Sequence, residues 1–214
     1  GELDTAELSG RVREIFLEHI TVSRGIDRAR ELIGGVIMPT PSAVMEAAHL
    51  LSDGAPGGEP GLGDIMIVDL GGATTDVYSV CSGAPRTPGV NLSGLREPRV
   101  KRTVEGDLGL YHNLDRLCES ARERDVPFDA AAQERLRAGR GIPAGEALRR
   151  AHAGLARLAV RLASERHCGC LFPLFTGGGT VMMQRGKDLT GVPVLIGAGG
   201  PLAFSEVPET VLSG

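Results

Sequence analysis

The chain has 214 residues, of which 42% are hydrophobic and 23% are charged, and its formal net charge is −4. This composition is typical of a globular protein with one or two domains, while 23 Lys and Arg against 27 Asp and Glu, with only 3% aromatic residues, argue against a nucleic-acid-binding surface. Since no apolar run approaches the roughly 18 residues of a membrane span and no signal peptide is recognisable, we expect a cytoplasmic protein without membrane contact.

The first 52 residues predict helices. Asp4 and Glu7 form a capping-box pattern before an amphipathic stretch to about residue 20, and a short helix is expected over 26–35. Thr40 can cap a third helix with Pro41 at its first position, and its apolar face is narrow and rich in alanine. The Pro/Gly-rich segment 53–63 then predicts a loop.

The rest of the chain alternates strands and helices. Residues 64–81 predict strand, tight turn and strand, and the first strand is apolar without alternation, as in a strand covered on both faces. A third strand leads through "EGDLG" into a helix, residues 121–141 carry little information, and a long helix is expected over 143–166. A "TGGGT" loop follows, and "VPVLIGAGGPL" predicts a buried strand that runs into a second glycine-rich turn. This order indicates a mixed α/β fold with helices on both faces of a sheet.

The polar residues outside these elements give weak signals. The four cysteines are Cys81, Cys118, Cys168 and Cys170, and no second Cys or His pair accompanies "RHCGC" at zinc-ligand spacing. Scattered thiols favour a reducing compartment, although the role of Cys168 and Cys170 stays open. Arg185 and Lys187 in "QRGKD" are interpreted as charges on a solvated face.

The segment "IMIVDLGGATTDVYSV", residues 65–80, interrupts a buried strand with an acid and a glycine pair. One interpretation is a β-hairpin whose Asp and Thr make local turn hydrogen bonds. The other is a phosphate-binding turn, with amides and hydroxyls of Gly71, Gly72, Ala73, Thr74 and Thr75 as donors. A carboxylate beside phosphates requires a cation, so Asp69, as the catalytic residue, together with Asp76 would hold Mg²⁺, through water in the case of Asp69.

This segment resembles the second phosphate loop of the actin, sugar-kinase and heat-shock-chaperone ATPase superfamily, whose pattern is Asp-x-Gly-Gly-x-Thr-x-Asp. The features "PTPSAVMEAAHLL", "DLGGATTD", "EGDLG" and "LIGAGGPL" occur here in the superfamily's order. The segments "EHITVSRGID", "KRTVEGDLG", "RHCG" and "QRGKDLTGVPVLIGAGGPL" are, more specifically, similar to the MutL accessory proteins of glutamate mutase.

The resemblance implies an actin-like ATPase (ribonuclease H-like) domain with an inserted α/β subdomain, and it implies ATP or ADP and Mg²⁺ as cofactors. It also implies an ATP-dependent reactivating chaperone whose partners are the subunits of an adenosylcobalamin-dependent mutase. A small-molecule kinase of the same superfamily and a non-hydrolysing scaffold subunit are the alternatives.

The first phosphate loop of the superfamily has no counterpart in residues 1–60. We therefore expect an incomplete fragment, the C-terminal half of the cleft, with ATPase activity only in the full-length protein. Its expected parts are a helical connection (1–40), the nucleotide-binding subdomain in two pieces (41–97 and 175–214) and the inserted subdomain (98–174).

Two further loops are candidate parts of the site. Gly197, Gly199 and Gly200 match the superfamily's adenosine loop, or they form a plain turn that starts a helix. Gly106 and Asp107 lie in "EGDLG", where Asp107 would either orient metal-bound water or cap the next helix. "TGGGT" is either an entry to the site or a plain loop. If the nucleotide interpretation holds, Asp69 and Gly199 lie on adjoining loops at one end of one sheet.

Overall fold

The computed structural model describes residues 40–127, 129–139 and 143–213, together with Arg11, Val12 and Ile15. These three residues are helical, while the rest of the helix expected to about residue 20 and the helix expected over 26–35 lie outside the described residues. The chain divides into two compact units, residues 1–47 and residues 48–214. The second unit contains the candidate site.

The helices and strands are numbered along the described chain. The helices are α1 (Thr40–Asp53), α2 (Leu114–Glu123), α3 (Ala130–Ala138), α4 (Glu146–His167), α5 (Gly200–Ala203) and α6 (Pro208–Leu212). The strands are β1 (Ile65–Leu70), β2 (Thr75–Val80), β3 (Asn91–Leu92), β4 (Val100–Glu105), β5 (Cys170–Thr176), β6 (Gly179–Arg185) and β7 (Val194–Ala198). The predicted third helix, the strand–turn–strand unit and the long helix are thereby confirmed.

The main sheet has four strands in the order β4-β2-β1-β7. The pairs β1–β2 and β2–β4 are antiparallel, whereas β1 and β7 are parallel. A meander of three strands is therefore followed, through α4, by a fourth strand that returns parallel to the first. The fold class predicted from the sequence, mixed α/β with helices flanking a mixed sheet, is confirmed at this level.

The core lies where α4 packs against β1, β2 and β4, with α2 and α3 beside α4. Met66, Val68 and Leu70 point to this face of β1, and Ile65 and Ile67 are buried on the other. β1 is thus covered on both faces, which explains its unbroken apolar sequence. Because β4 and α4 share this sheet and core, the segment 98–174 contributes directly to the main sheet, and its boundaries as a separate subdomain stay a prediction.

β7 corrects one expectation. It was predicted to be buried, but it lies at an end of the described sheet, and the side chain of Leu195 is 45% exposed. An apolar run of five residues fits a half-covered edge strand as well as a central strand. The sequence pattern alone could not separate the two.

A second, three-stranded sheet has the order β3-β6-β5 and was missed by the sequence analysis. β5 and β6 form a hairpin in which Thr176 pairs with Gly179 and Pro173 with Met182, so "TGGGT" is a hairpin turn rather than a separate loop. β5 carries apolar side chains that remain in solvent, and Phe175 is 79% exposed. Apolar side chains are usually buried, and β5 is an exception.

A buried polar network joins the first sheet to the end of α4. The hydroxyl of Ser79 lies 2.9 Å from Nε2 of His167 and accepts a hydrogen bond of 3.2 Å from Nζ of Lys187. Nδ1 of His167 lies 2.8 Å from the hydroxyl of Thr103. Lys187, expected on a solvated face, is only 1% exposed, and its ammonium also donates to two backbone carbonyls, those of Cys81 and Arg99. Burial lowers the pKa of Lys187 and lowers the pKa of His167 to about 3, in each case because the charged form loses water.

Candidate functional site

The turn between β1 and β2, residues 71–74, is held by its carbonyl groups. The Gly71 amide closes the turn by donating to the Thr74 carbonyl at 2.9 Å. A segment further along the chain, residues 110–113, donates hydrogen bonds to three successive carbonyls of the turn. The acceptors are Gly71 (from Leu110 N, 3.2 Å), Gly72 (from Tyr111 N and His112 N, both 2.9 Å) and Ala73 (from Asn113 Nδ2, 2.8 Å). The turn therefore has a fixed shape, although its residues are partly buried and Ala73 is exposed.

Three amide groups of the same turn, those of residues 72–74, have no acceptor in the described part of the chain. Among the residues that the structure describes, no carbonyl or side chain accepts a hydrogen bond from the N–H groups of Gly72, Ala73 or Thr74. Backbone N–H groups that the protein does not satisfy are satisfied by water or by a ligand. The segment is thus a β-hairpin, as the first interpretation held, and its turn offers the donors that the second interpretation requires.

Close packing, rather than unusual backbone conformation, explains the glycines of this turn. Neither Gly71 nor Gly72 has a positive φ angle. A Cβ atom on Gly72 would lie 2.6 Å from the Tyr111 ring, and one on Gly109 would overlap the backbone of Ala73. The segment that begins at "EGDLG" is therefore the support of the turn. Sequence reasoning missed Gly109, Tyr111 and Asn113, although "EGDLG" was recognised.

The two threonines have roles that differ from the prediction. The hydroxyl of Thr75 is completely buried and donates to the Leu108 carbonyl at 2.8 Å, so it ties β2 to the supporting segment instead of facing a ligand. The hydroxyl of Thr74 donates to Oδ2 of Asp76 at 2.9 Å. In this geometry the backbone, not the hydroxyl groups, supplies the available donors.

The two acidic residues face each other across the β1–β2 pair, because Asp69 and Asp76 are in register. Asp76 is ion-paired with Arg102, whose Nε and Nη2 lie 2.9 and 2.6 Å from Oδ1. Asp69 is half-buried and has no hydrogen bond or ion pair to any residue in the described ranges. Burial, and next the nearby charge of Asp76, raise the pKa of Asp69. Asp69 is therefore the carboxylate left available to a cation.

The strand end of β7 meets the strand end of β1, as predicted. Asp69 is in register with Ala198, so Gly199 follows beside Leu70. A Cβ atom on Gly199 would overlap the Leu70 carbonyl and lie 2.8 Å from Oδ1 of Asp69, and its φ angle is +89°. Only glycine fits this position comfortably.

The other two glycines of this loop differ from Gly199. A Cβ atom on Gly197 would lie 2.9 Å from a methyl carbon of Leu212, so this glycine makes room for leucine side chains rather than for a nucleotide. Gly200 begins α5, and its Cβ would meet open space. The loop thus starts a short helix, as the plain-turn alternative held, and also adjoins Asp69.

Asp107 does not cap a helix. Arg166, at the end of α4, binds both of its carboxylate oxygens at 2.7 and 3.0 Å and also pairs with Glu105 at 2.7 Å. This hydrogen bonding lowers the pKa of Asp107. Asn113 occupies the N-cap of α2 without a side-chain capping bond, and its amide instead reaches the carbonyl of Gly106 at 2.6 Å. Asp107 is thus a structural partner of Arg166, a role that neither alternative included.

A cavity of about 220 Å³ lies between α4 and the segment that follows Gly199. Its lining includes Arg149, Arg150, His152, Pro201 and Phe204. His152 is 7% exposed, Nε2 of its imidazole has no partner in the described structure, and its ring lies 6.1 Å from the Tyr111 ring. Burial lowers the pKa of His152, so the imidazole is neutral near pH 7.

A family model described as "MutL protein" matches residues 1–214. The chain belongs to the MutL family. It is 39% identical over 210 residues to Protein MutL of Clostridium tetanomorphum, a match that covers 94% of this chain and 45% of that protein. The chain thus spans less than half the length of that relative, and no solved structure matches it significantly.

The carboxylates of this site fit Mg²⁺ only where a bound phosphate supplies further oxygen ligands. Within the described ranges, no group of three or more His, Cys, Asp or Glu side chains could hold a metal ion. Mg²⁺ is commonly bound through one or two carboxylates together with substrate phosphates and water, and the free carboxylate of Asp69 beside the unpaired amides fits that pattern.

None of the described helices is long and apolar enough to cross a membrane.

Proposed function

We propose that this MutL family chain binds Mg²⁺ with ATP or ADP at the ends of β1 and β7, as one half of an actin-like nucleotide cleft. The observation that carries the proposal is the meeting of three features at one end of one sheet. They are the unpaired amides of residues 72–74, the free carboxylate of Asp69 and the close approach of Gly199. The three-stranded meander with a helical crossover to a parallel strand supports the actin-like assignment.

Each part has a distinct task in the proposed site. The amides of Gly72, Ala73 and Thr74 donate to phosphate oxygens, and the supporting segment fixes their positions before the ligand arrives. Asp69 orients a metal-bound water. Bound Mg²⁺ would neutralise part of the phosphate charge. The absence of a side chain at Gly199 lets the end of β7 pack against Leu70 and Asp69, and the cavity beside Pro201 is the proposed position of the base.

The proposal extends to the whole protein. The relative that shares 39% identity is named Protein MutL, and the sequence resembles accessory proteins of glutamate mutase. We propose that the full-length protein uses ATP to reactivate an adenosylcobalamin-dependent mutase, with a further domain supplying the first phosphate loop. Mutase-stimulated ATP turnover by the full-length protein would support this role. Phosphorylation of a small molecule would favour the kinase alternative. If neither activity is detected, the scaffold-subunit alternative would be favoured.

Calorimetric titration of the 214-residue chain with ADP tests the site, with and without Mg²⁺. Half a cleft lacks about three charge-assisted hydrogen bonds of roughly 1.5–3 kcal/mol each, so we expect only about millimolar affinity and no measurable hydrolysis. Asp69→Asn should remove the dependence of affinity on Mg²⁺. Asp125→Asn, in an exposed turn with a positive φ angle that asparagine tolerates, is the matched control.

Two results would contradict the proposal. Equal Mg²⁺ dependence in Asp69→Asn and Asp125→Asn would show that the cation is held elsewhere. Micromolar affinity in the isolated chain would show that the site does not depend on the first phosphate loop.

A further inference from the structure

The two acids of the candidate site differ in how they are paired, although they occupy equivalent positions on neighbouring strands. Asp69 and Asp76 face each other in register, yet only Asp76 has partners in the described structure. The sequence pattern alone suggests that both carboxylates could bind a metal ion. The structure assigns one of them to a positive charge that the protein itself carries.

We propose that the Arg102 guanidinium takes the place of a metal ion at Asp76, so that the acid pair binds a single divalent cation, through Asp69, and only together with a nucleotide. The part that concerns the nucleotide rests on the proposed function. The part that concerns Arg102 stands on the geometry of β2 and β4.

Strand register places Arg102 at Asp76. Arg102 on β4 pairs with Tyr78 on β2, and Tyr78 lies two residues from Asp76, so the three side chains share one face of the sheet. Two guanidinium nitrogens converge on Oδ1 of Asp76, while Oδ2 accepts from the Thr74 hydroxyl. Both carboxylate oxygens of Asp76 are therefore occupied.

The surroundings hold Arg102 in this position. Its guanidinium lies 5.8 Å from the centre of the Tyr78 ring, within range of a cation–π contact. The side chains of Arg102 and Asp76 are only 23% and 11% exposed, so salt screens their ion pair less than a surface pair. The arginine is thus a fixed component of the site rather than a mobile surface charge.

The charge balance explains why one cation would be bound and not two. Two carboxylates and one guanidinium leave a net charge of −1, whereas an acid pair without the arginine would carry −2. A single carboxylate is a poor site for a divalent ion, which usually needs further oxygen ligands such as phosphates. The cation would then enter with the nucleotide and leave with it.

Mn²⁺ binding to the nucleotide-free chain, followed by electron paramagnetic resonance of the free ion, tests the role of Arg102. The wild-type chain should bind Mn²⁺ only weakly. Arg102→Met keeps an apolar stem but removes the charge, and it should bind one Mn²⁺ at least tenfold more tightly. Arg102→Lys, which keeps the charge, should behave like the wild type. Adding Asp76→Asn to Arg102→Met should abolish the new site.

A second measurement does not depend on the folding of the Arg102 variants. With ADP at saturating concentration, Asp76→Asn should keep one bound Mn²⁺, and Asp69→Asn should lose it. The proposal is overturned if nucleotide-free wild type already binds Mn²⁺ tightly in a manner that needs Asp76, or if folded Arg102→Met binds no more tightly than wild type. A failure of ADP to bind at all would refute the proposed function and leave the nucleotide-free comparison intact.

Discussion

Replacing Gly199 with alanine should destabilise the protein far more than the same change at the next residue. The φ and ψ angles of Gly199 are 89° and 153°, a region that costs other residues about 1–3 kcal/mol. The new Cβ would also overlap the Leu70 carbonyl, and overpacking of this kind costs about 1–3 kcal/mol. We therefore expect Gly199→Ala to lower the free energy of unfolding by about 2–6 kcal/mol.

Gly200→Ala is the matched control for this prediction. Gly200 lacks a positive φ angle, its Cβ would meet open space, and it lies at the start of α5. Alanine there should be neutral or stabilise by up to about 1 kcal/mol, because it restricts the unfolded chain.

Urea unfolding of both variants provides the measurement, because their midpoints can be compared directly if the two variants have the same m-value. With m of roughly 1–3 kcal/mol/M, a loss of about 3 kcal/mol lowers the midpoint by about 1–3 M. Equal midpoints for Gly199→Ala and Gly200→Ala would refute the view that the two strand ends are in steric contact.

Three further predictions concern the supports of the site and of the sheet. Because the pKa of His167 is about 3 in the folded protein, the unfolded state binds an additional proton below about pH 6.5. The free energy of unfolding should thus fall by up to about 1.4 kcal/mol per unit as pH decreases toward 3, and His167→Gln should reduce that slope in urea titrations at several pH values. Asn113→Ala removes two hydrogen bonds to loop carbonyls and should destabilise by about 1–2 kcal/mol in thermal unfolding, while an unchanged melting temperature would contradict the support role. Thr75→Val leaves the Leu108 carbonyl unpaired and should cost about 1–3 kcal/mol in urea unfolding, whereas equal loss in the less buried Thr74→Val would argue against that assignment.

Local sequence was sufficient to predict the hairpin and the acid and two glycines at its turn. An apolar run that ends in an acid and two glycines specified a strand, a turn and a strand, and these elements occupy β1, residues 71–74 and β2. The meeting of Asp69 and Gly199 was also predictable, because one lies at the end of a predicted strand, the other directly follows a predicted strand, and a shared nucleotide site requires these strand ends to meet.

The partners of the charged residues could not be predicted. Asp76 and Arg102 are 26 positions apart, and Asp107 and Arg166 are 59 apart. Which of the chain's many arginines reaches which carboxylate depends on strand register and on where α4 ends, and neither is encoded locally. The same holds for Lys187, because its burial depends on carbonyl groups from distant segments.

The proline in the β5–β6 hairpin has a consequence for colloidal behaviour. Within the described chain, β5 pairs only with β6, and it carries exposed leucine and phenylalanine side chains, a combination that invites strand-by-strand polymerisation. Pro173 lacks an N–H group, and it fits a paired strand only where that group would face the open side. A further strand that approached β5 would therefore miss a hydrogen bond at the middle of the edge. Pro173 thus opposes aggregation through the edge of β5, although the hairpin exposes apolar side chains that would favour association at high protein concentration.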